Sequence, residues 1–261
     1  MWWRSATSFD DKVWFAGGFN NTVYYNTLHV FDEALTTSTS AIRDQMCNVS
    51  ASHTKSYALF CGGSTRTSGG SSVVNAFTGN LTRTIKDLFG SCRDLSSGSI
   101  SDIAIFTGGI CNGDWSGLVE GYSDELTHFN ITSIHPRYYF PSVSTTNHII
   151  FTGGIDSHDP LAMTDILDAS LTHISGSELS LPRYHIGATN IQNNSLFAGG
   201  EYRAEYGGDI ASIVDIYDDE LTHKALDAKT KFHNVGSGIT IGDHALFLLN
   251  DTITLCDLVY K

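Results

Sequence analysis

Three histidines end the same short phrase, Leu-Thr-His, at distant places in the 261-residue chain: they are His128, His173 and His223. Imidazole is a common zinc ligand, so three histidines brought together could hold a metal ion. The phrase returns only about every 45 to 50 residues, however, and each copy follows the same strand-like segment. We therefore expect three exposed strand residues in separate repeats, with no bound metal and no cofactor.

Arginine is the second residue type that recurs at a repeating distance. Arg93, Arg137 and Arg183 open similar segments, and His233 stands at the corresponding place further along. Guanidinium groups bind carboxylates and phosphates through paired hydrogen bonds, so a ring of them could form an anion site. The alternative is that each arginine braces the fold by donating to backbone carbonyls, since a repeated residue is more often architectural than catalytic.

Aromatic and charged side chains also concentrate in a few turn-rich stretches of the sequence. These candidate ligand-binding residues are Asp114, Trp115, His158, Asp159, Tyr202, Arg203 and Tyr206. Tyrosine, tryptophan and arginine dominate binding surfaces, whereas an ordinary solvated loop is the alternative for any single residue. Trp115 and the stretch from Tyr202 to Tyr206 are the strongest candidates. The sequence shows no nucleophile elbow, phosphate-binding loop or dinucleotide fingerprint.

Composition excludes several classes of function. The formal net charge is −13 and only 15 residues are lysine or arginine, which argues against nucleic acid and anionic membranes as partners. Hydrophobic residues make up 41% of the chain, charged residues 16%, and 25 residues are glycine. A folded, all-β protein is therefore expected.

The cysteines and the N-terminus bear on the compartment. The chain has five cysteines, an odd number with no Cys-x-x-Cys pair, and this pattern favours free, buried thiols over a disulfide framework. The first residues lack the apolar core of a signal peptide, and no run approaches the length of a membrane span. A cytoplasmic or virion-associated protein is expected.

One phrase, a short apolar run followed by two glycines, recurs through the chain. Its copies are "VWFAGG", "ALFCGG", "AIFTGG", "IIFTGG" and "SLFAGG", with first glycines Gly17, Gly62, Gly108, Gly153 and Gly199. A sixth copy, "ALFLLN", keeps the phenylalanine and lacks both glycines. Glycine adopts positive φ and admits another backbone at close range, so each pair is expected to mark the same crowded corner of a repeated sheet.

Each repeat contains three further short segments. A segment of small residues precedes the apolar one, an alternating segment such as "VDIY" follows it, and a segment beginning near Leu-Thr-His ends the repeat. This alternation indicates strands, and four strands in about 45 residues are typical of a β-propeller blade. We predict a single all-β domain over residues 1–261 with six blades, four-stranded except for the last. The blades span approximately residues 1–41, 42–87, 88–132, 133–177, 178–227 and 228–261.

The repeat resembles the kelch family of β-propellers over essentially the whole chain. The resemblance consists of the double glycine, the arginines Arg93, Arg137 and Arg183 before it, and a downstream aromatic at Phe31, Phe77, Tyr122 and Tyr217. The tryptophan usual in the family is replaced by Leu35, Leu81, Leu126, Leu171 and Leu221, a form similar to kelch-like repeats of bacteria and bacteriophages. The resemblance implies a six-bladed ring whose function lies in loops at the channel mouth.

The last repeat has no fourth segment, so we expect a three-stranded last blade with an exposed edge at residues 252–258. Exposed edge strands invite pairing by another chain. A bulge, or the N-terminal Trp2 and Trp3, would be the alternative cover for this edge.

Three functions are compatible with these features. The leading hypothesis is a non-catalytic recognition module that binds a protein or glycan through its loops, as part of a bacteriophage or bacterial surface apparatus. A kelch-type enzyme acting on a sugar such as a sialic acid would use Arg137, Arg183 and His233, although the inner strands offer no glutamate. The third hypothesis is a structural role in assembly through the edge at residues 252–258.

Overall fold

A computed structural model of the chain describes residues 4–157, 159–202, 211–227, 235–241, 244–249 and 252–256. Every regular element in these ranges is a β-strand, so they contain no helix with the length and apolarity needed to cross a membrane. The prediction of an all-β chain is confirmed. The chain divides into two compact units, Met1–Tyr138 and Tyr139–Lys261, and the described strands form three antiparallel sheets in each unit.

In the first unit, the first and third sheets have the predicted four strands, and the second sheet has six. The first sheet contains β1 (Ser5–Phe9), β2 (Lys12–Ala16), β3 (Thr27–Phe31) and β4 (Thr37–Ala41) in that order. The second sheet contains β5 (Ser50–His53), β6 (Ala58–Cys61), β7 (Ser71–Phe77) and β8 (Arg83–Arg93), extended beyond β8 by β11 (Ile110–Cys111) and β12 (Asp114–Trp115). The third sheet contains β9 (Ser96–Ile100), β10 (Ile103–Thr107), β13 (Leu118–Tyr122) and β14 (His128–Ser133).

The second unit contains two four-stranded sheets and a three-stranded one. The fourth sheet contains β15 (Ser142–Ser144), β16 (His148–Thr152), β17 (Thr164–Asp168) and β18 (His173–Ser175). The fifth sheet contains β19 (Gly187–Ile191), β20 (Asn194–Ala198), β21 (Ile213–Tyr217) and β22 (His223–Asp227). The sixth sheet contains β23 (Val235–Ile241), β24 (His244–Leu249) and β25 (Thr252–Cys256), with β25 at its edge among the described strands.

Apolar residues on both faces of the middle sheet of each unit form the cores. In the first unit, Phe60 and Phe77 of the second sheet pack with Trp14 of the first sheet, whereas Leu59 and Val74 pack towards the third sheet. The second unit repeats this arrangement, because the fifth sheet contributes to one cluster with the fourth sheet and to another with the sixth. A strand buried on both faces reads as a continuous apolar run, which is why β6 is "ALFC" with every residue buried.

The double glycines lie where one repeat meets the residues that lead into the next sheet, here called the leading segment. In the fourth sheet, the amide of Gly154 donates to the carbonyl oxygen of Arg183 at 2.9 Å. A Cβ on Gly153, whose φ is +68°, would lie 2.5 Å from the same oxygen. Positive φ and backbone contact together exclude a side chain, as the sequence predicts.

Short hydroxyl side chains join the first strands of neighbouring sheets. Ser52 Oγ in β5 donates to the carbonyl of Gly98 in β9 at 2.5 Å, and Ser97 Oγ donates in return to the carbonyl of Ala51 at 2.7 Å. The small residues in these segments therefore allow one sheet to bond directly to the next.

The histidines of the Leu-Thr-His phrases correct one expectation, since they are not exposed strand residues. Their side chains are 17 to 27% exposed, and each Nε2 lies 2.6 to 2.7 Å from a carboxylate oxygen on the preceding strand of the same sheet. The pairs are His128–Glu120, His173–Asp165 and His223–Asp215. The Leu-Thr-His phrase recurs because its histidine pairs across the strands with an acid buried in the same sheet.

Candidate functional site

Two of the predicted binding residues, Asp114 and Trp115, lie on a small hairpin formed by β11 and β12. Its turn is Asn112-Gly113, with φ of 54° and 95°, which is the signature of a type I′ turn. The side-chain oxygen of Asn112 accepts a hydrogen bond from the backbone amide of Ser91 at 3.0 Å. The backbone amide of Asn112 donates to the carbonyl of Ser91 at 2.9 Å. The hairpin is thus held against the end of β8 rather than forming an open loop.

A disulfide between Cys92 in β8 and Cys111 in β11 fixes the same hairpin. The two residues are register partners on neighbouring antiparallel strands, with their Cα atoms 4.1 Å apart. This bond corrects the expectation that all the cysteines are free. Cys47 and Cys61 are free and buried, and burial raises the pKa of each thiol above its ordinary value.

Exposed aromatic rings flank a groove beside the disulfide. Phe89 is 55% exposed and Trp115 is 44% exposed, although both are large apolar side chains. The groove has a volume of about 230 Å³, and it is lined by Phe89, Gly90, Cys92, Cys111, Asn112, Trp115, Ser116, Leu118 and Glu120. We call this surface the hairpin site. Two exposed aromatics on a fixed framework are typical of a binding surface.

Glu120, His128 and Tyr122 form a hydrogen-bonded and stacked group beneath the ring of Phe89. The Phe89 ring stacks on His128 with centroids 3.9 Å apart, and His128 stacks on Tyr122 at 4.6 Å. Glu120, only 3% exposed, accepts the amide of Phe89 at 2.9 Å and pairs with His128 at 2.7 Å. Burial raises the pKa of Tyr122, so its hydroxyl stays protonated and donates to the carbonyl of Asp87 at 2.5 Å. These contacts therefore fix the position of the Phe89 ring before any ligand binds.

The three arginines do not share one position. The amides of Gly63, Gly109 and Gly154 donate to the carbonyls of Cys92, Arg137 and Arg183, so Arg93 lies one residue beyond the others. Register places Arg93 in line with Ile110 and Trp115 across three strands. Arg93 also donates to the carbonyl of Gly69 at 2.5 Å. Arg93 therefore lies beside the hairpin but does not line its groove.

Arg137 and Arg183 have no exposed surface, which agrees with the bracing alternative and not with an anion site open to a ligand. Arg183 forms a buried ion pair with Asp215 and donates to the carbonyl of Phe197 at 3.1 Å. Arg137 donates to the carbonyl of His135 at 3.2 Å. Their burial argues against ligand binding and favours the bracing role, so we do not keep them in the site.

The remaining described candidates, Asp159 and Tyr202, lie in the second unit, whereas the hairpin site lies in the first. Asp159 lies in an exposed tight loop, where its amide donates to the side chain of Asp156 at 3.2 Å. Tyr202 is half-buried and follows Glu201, whose backbone bonds to Tyr184. His158, Arg203, Tyr206, His233, Trp2 and Trp3 lie outside the described residues.

A wider groove of about 470 Å³ lies in the first unit where first and second strands turn. His53 on its wall has its ring nitrogens 3.2 to 3.4 Å from the hydroxyls of Thr7 and Ser99. Burial lowers the pKa of His53, and Asp102 partly opposes this shift. These contacts join the first strands of three sheets, so we assign His53 a structural role.

Comparison with known proteins identifies the fold and not the family. No protein-family model and no curated protein matches the sequence. The chain is similar to the solved structure of YjhT, with a TM-score of 0.74 and 9% sequence identity, over 98% of this chain and 97% of that chain. The likeness shows an all-β fold of several four-stranded antiparallel sheets.

Sequence reasoning missed Phe89, Cys92 and Cys111 as members of the site. The Asn112-Gly113 pair was the available signal, because these residues between apolar neighbours strongly predict a two-residue hairpin. A hairpin at this place brings Cys111 next to the end of the preceding strand. The exposure of Phe89 had no signal, since it sits in an ordinary strand pattern.

Proposed function

We propose that the chain is a six-bladed, kelch-type β-propeller that acts as a non-catalytic recognition module. Its ligand binds at the hairpin site, between Phe89 and Trp115. The observation that supports this function is the pair of exposed rings on a framework fixed by a disulfide, a type I′ turn and buried Glu120. Rigid aromatic side chains give contact area at little cost in conformational entropy.

A glycan is the ligand that this surface fits best. The groove of about 230 Å³ is smaller than a typical drug-sized pocket and suits one ring-sized group. Aromatic faces contact the apolar face of a sugar ring, while Asn112 and Ser116 offer polar groups at the same groove. A protein side chain that inserts into the groove is the competing ligand, and the test separates the two.

The test combines a glycan array with a pull-down, using wild type, Trp115→Ala and Phe89→Ala. Glycan binding weakened at least tenfold in both variants would support the proposal. Leu226→Ala is the matched control, because Leu226 is an apolar strand residue that is 45% exposed in the other unit. Capture of a protein with the same dependence on Trp115 would replace the glycan by a protein ligand. Binding that is unchanged in both variants rejects the hairpin site.

Assembly through the last sheet is a second candidate function. Among the described strands, β25 pairs only with β24, and residues 252–258 are the edge that we propose for a partner strand. Pairing through residues 252–258 predicts that Leu255→Pro, which removes a backbone donor that the register directs away from β24, lowers the oligomeric state. Light scattering after size exclusion measures this, and an unchanged monomer rejects it. The sugar-converting enzyme loses support, because it relied on Arg137 and Arg183.

A further inference from the structure

A cluster in the second unit combines two tyrosines, a histidine and a glutamate: Tyr139, Tyr184, His185 and Glu201. We propose that this cluster is a second binding site, separate from the hairpin site, whose ligand is a neutral sugar ring. The ring contacts the face of Tyr139, and one of its hydroxyls donates to His185. The proposal does not depend on ligand binding at the hairpin site.

Backbone conformation first draws attention to Tyr139. Four leading segments among the described residues have a residue of positive φ two positions after the carbonyl that accepts the glycine amide; these residues are Asn48 (52°), Asp94 (56°), Tyr139 (55°) and His185 (52°). Asparagine, aspartate and histidine tolerate this conformation, whereas a bulky tyrosine is an outlier. A residue held where its backbone is unfavourable is a candidate for function.

The rings of Tyr139 and His185 pack against each other at the surface, with their planes tilted by 43°. The ring centroids are 4.4 Å apart, and the amide of His185 donates to the carbonyl of Tyr139 at 3.1 Å. Tyr139 is 38% exposed and the side chain of His185 is 40% exposed. A sugar could therefore touch both rings without any rearrangement of the backbone.

Glu201 fixes the orientation of the imidazole. One carboxylate oxygen accepts the hydroxyl of Tyr184 at 2.8 Å, and the other lies 3.2 Å from Nδ1 of His185. Two backbone bonds, of 2.9 and 3.0 Å, join Glu201 to Tyr184. A carboxylate at Nδ1 favours a proton on that nitrogen, and in this tautomer Nε2 accepts a hydrogen bond.

The equivalent place in the second sheet shows that the backbone bridge forms without the side chains of Tyr184 and Glu201. Cys47 and Ser64 form the same pair of backbone bonds there, at 2.8 and 3.0 Å. Neither residue is a tyrosine or a glutamate, yet the bridge is present. The side chains of Tyr184 and Glu201 thus add something beyond the fold.

The chemistry of the cluster selects the ligand class. The Glu201 carboxylate disfavours anions, as does the net charge of −13. The described residues contain no group of three or more side chains that could hold a metal ion. The rings of Tyr139 and Tyr184 both lie against His185, so they do not leave the opening that an aromatic cage around a cation requires. An exposed ring beside a hydroxyl acceptor fits a neutral sugar.

Saturation-transfer NMR with methyl glycosides of glucose, galactose and mannose at millimolar concentration tests the proposal. Wild type is expected to transfer signal to the ring protons of at least one glycoside. Tyr139→Asn, which places the residue of Asn48 at this position, is made in a Trp115→Ala background so that the hairpin site contributes no signal. It is expected to reduce the signal at least tenfold relative to Trp115→Ala alone and to raise the Tm. His185→Phe in the same background keeps a ring and removes the acceptor, so it should also lose the signal.

Leu226→Ala is the matched control, because Leu226 is an exposed apolar residue of the same unit outside both proposed sites, and it should leave the signal unchanged. Equal signals from Trp115→Ala and Trp115→Ala/Tyr139→Asn overturn the proposal, because the latter variant is expected to fold at least as well. Loss of the signal in Trp115→Ala alone would assign sugar binding to the hairpin site and likewise overturn it. Absence of any signal from wild type, with all three glycosides, has the same consequence.

Discussion

The leading segments of the third and fifth sheets hold different chemistry at the same backbone position. Cys92 in one and Arg183 in the other each offer a carbonyl to the amide of a second glycine, at 2.9 Å in both cases. The side chain of Cys92 then forms a disulfide with Cys111, whereas the side chain of Arg183 forms a buried ion pair with Asp215. The two leading segments thus share the backbone hydrogen bond to the second glycine but differ in the cross-link that the side chain forms.

The difference extends to what each cross-link holds. The Arg183–Asp215 pair lies entirely within the fifth sheet and its leading segment, where Asp215 also accepts the amide of Ser180 at 2.9 Å and pairs with His223 at 2.6 Å. The disulfide instead reaches an added hairpin that carries Trp115. A cross-link confined to the repeat has an architectural purpose, whereas one that fixes an added element supports a site.

The largest effect is expected from Arg183→Met. The substitution leaves the buried carboxylate of Asp215 without its cation, and breaking such a pair typically costs about 3 to 5 kcal/mol. Urea denaturation should show this loss in the free energy of unfolding.

Arg93→Met is the matched control for that substitution, because Arg93 looks equivalent in sequence but its side chain is 33% exposed. A change below about 0.5 kcal/mol is expected for an exposed arginine. Equal losses in the two variants would contradict the one-residue offset between Arg93 and Arg183.

The next largest effect is expected from Cys92→Ser/Cys111→Ser. The two cysteines are 19 residues apart, and a loop of that size corresponds to a loss of about 3 kcal/mol in the free energy of unfolding. Denaturation with and without dithiothreitol measures it. The reductant should destabilise wild type and leave the double variant unchanged; sensitivity of both would place the effect elsewhere.

The two cross-links also show what the sequence could predict. The repeat, the strands and the turns at the double glycines depend on local chemistry, so recurring sequence motifs could predict them. The equivalence of Arg93 to Arg183 could not, because similar letters lie one residue apart in the hydrogen-bond register. The disulfide was hidden for another reason: β8 continues to Arg93 and meets a hairpin from the following repeat.

The candidate sites were partly predictable for the same reason. Trp115 stood out because an exposed tryptophan in a turn-rich stretch is unusual. The cluster around Tyr139 did not, since its members come from two leading segments and the start of a loop, and only the backbone brings Glu201 to Tyr184.

A smaller effect is expected when the constant backbone contact is disturbed by Gly153→Ala. Left-handed φ costs about 1 to 2 kcal/mol for a residue with a side chain, and the contact with the Arg183 carbonyl adds to it, so a loss of at least about 2 kcal/mol is expected. Gly113→Ala is the control, because Gly113 has φ of +95° and no atom within 4 Å. A loss near 1 kcal/mol is expected there. Urea denaturation that ranks the two in the opposite order would contradict the close-contact explanation.

The smallest effect is a dependence on acid that should separate the ion pair from the disulfide. Burial alone would raise the pKa of Asp215, but the charge of Arg183 and hydrogen bonds from Ser180 and His223 outweigh it and hold the pKa below the ordinary value. A carboxyl with a lower pKa in the folded chain stabilises the fold above the unfolded pKa of about 3.9, and this contribution is lost as pH falls through the folded pKa. Asp215→Asn mimics the protonated form, so the stability of wild type should converge on that of the variant as the pH falls below about 4. Urea denaturation as a function of pH measures the convergence. A constant gap between the two curves down to the acid limit would show that Asp215 is not the group that titrates.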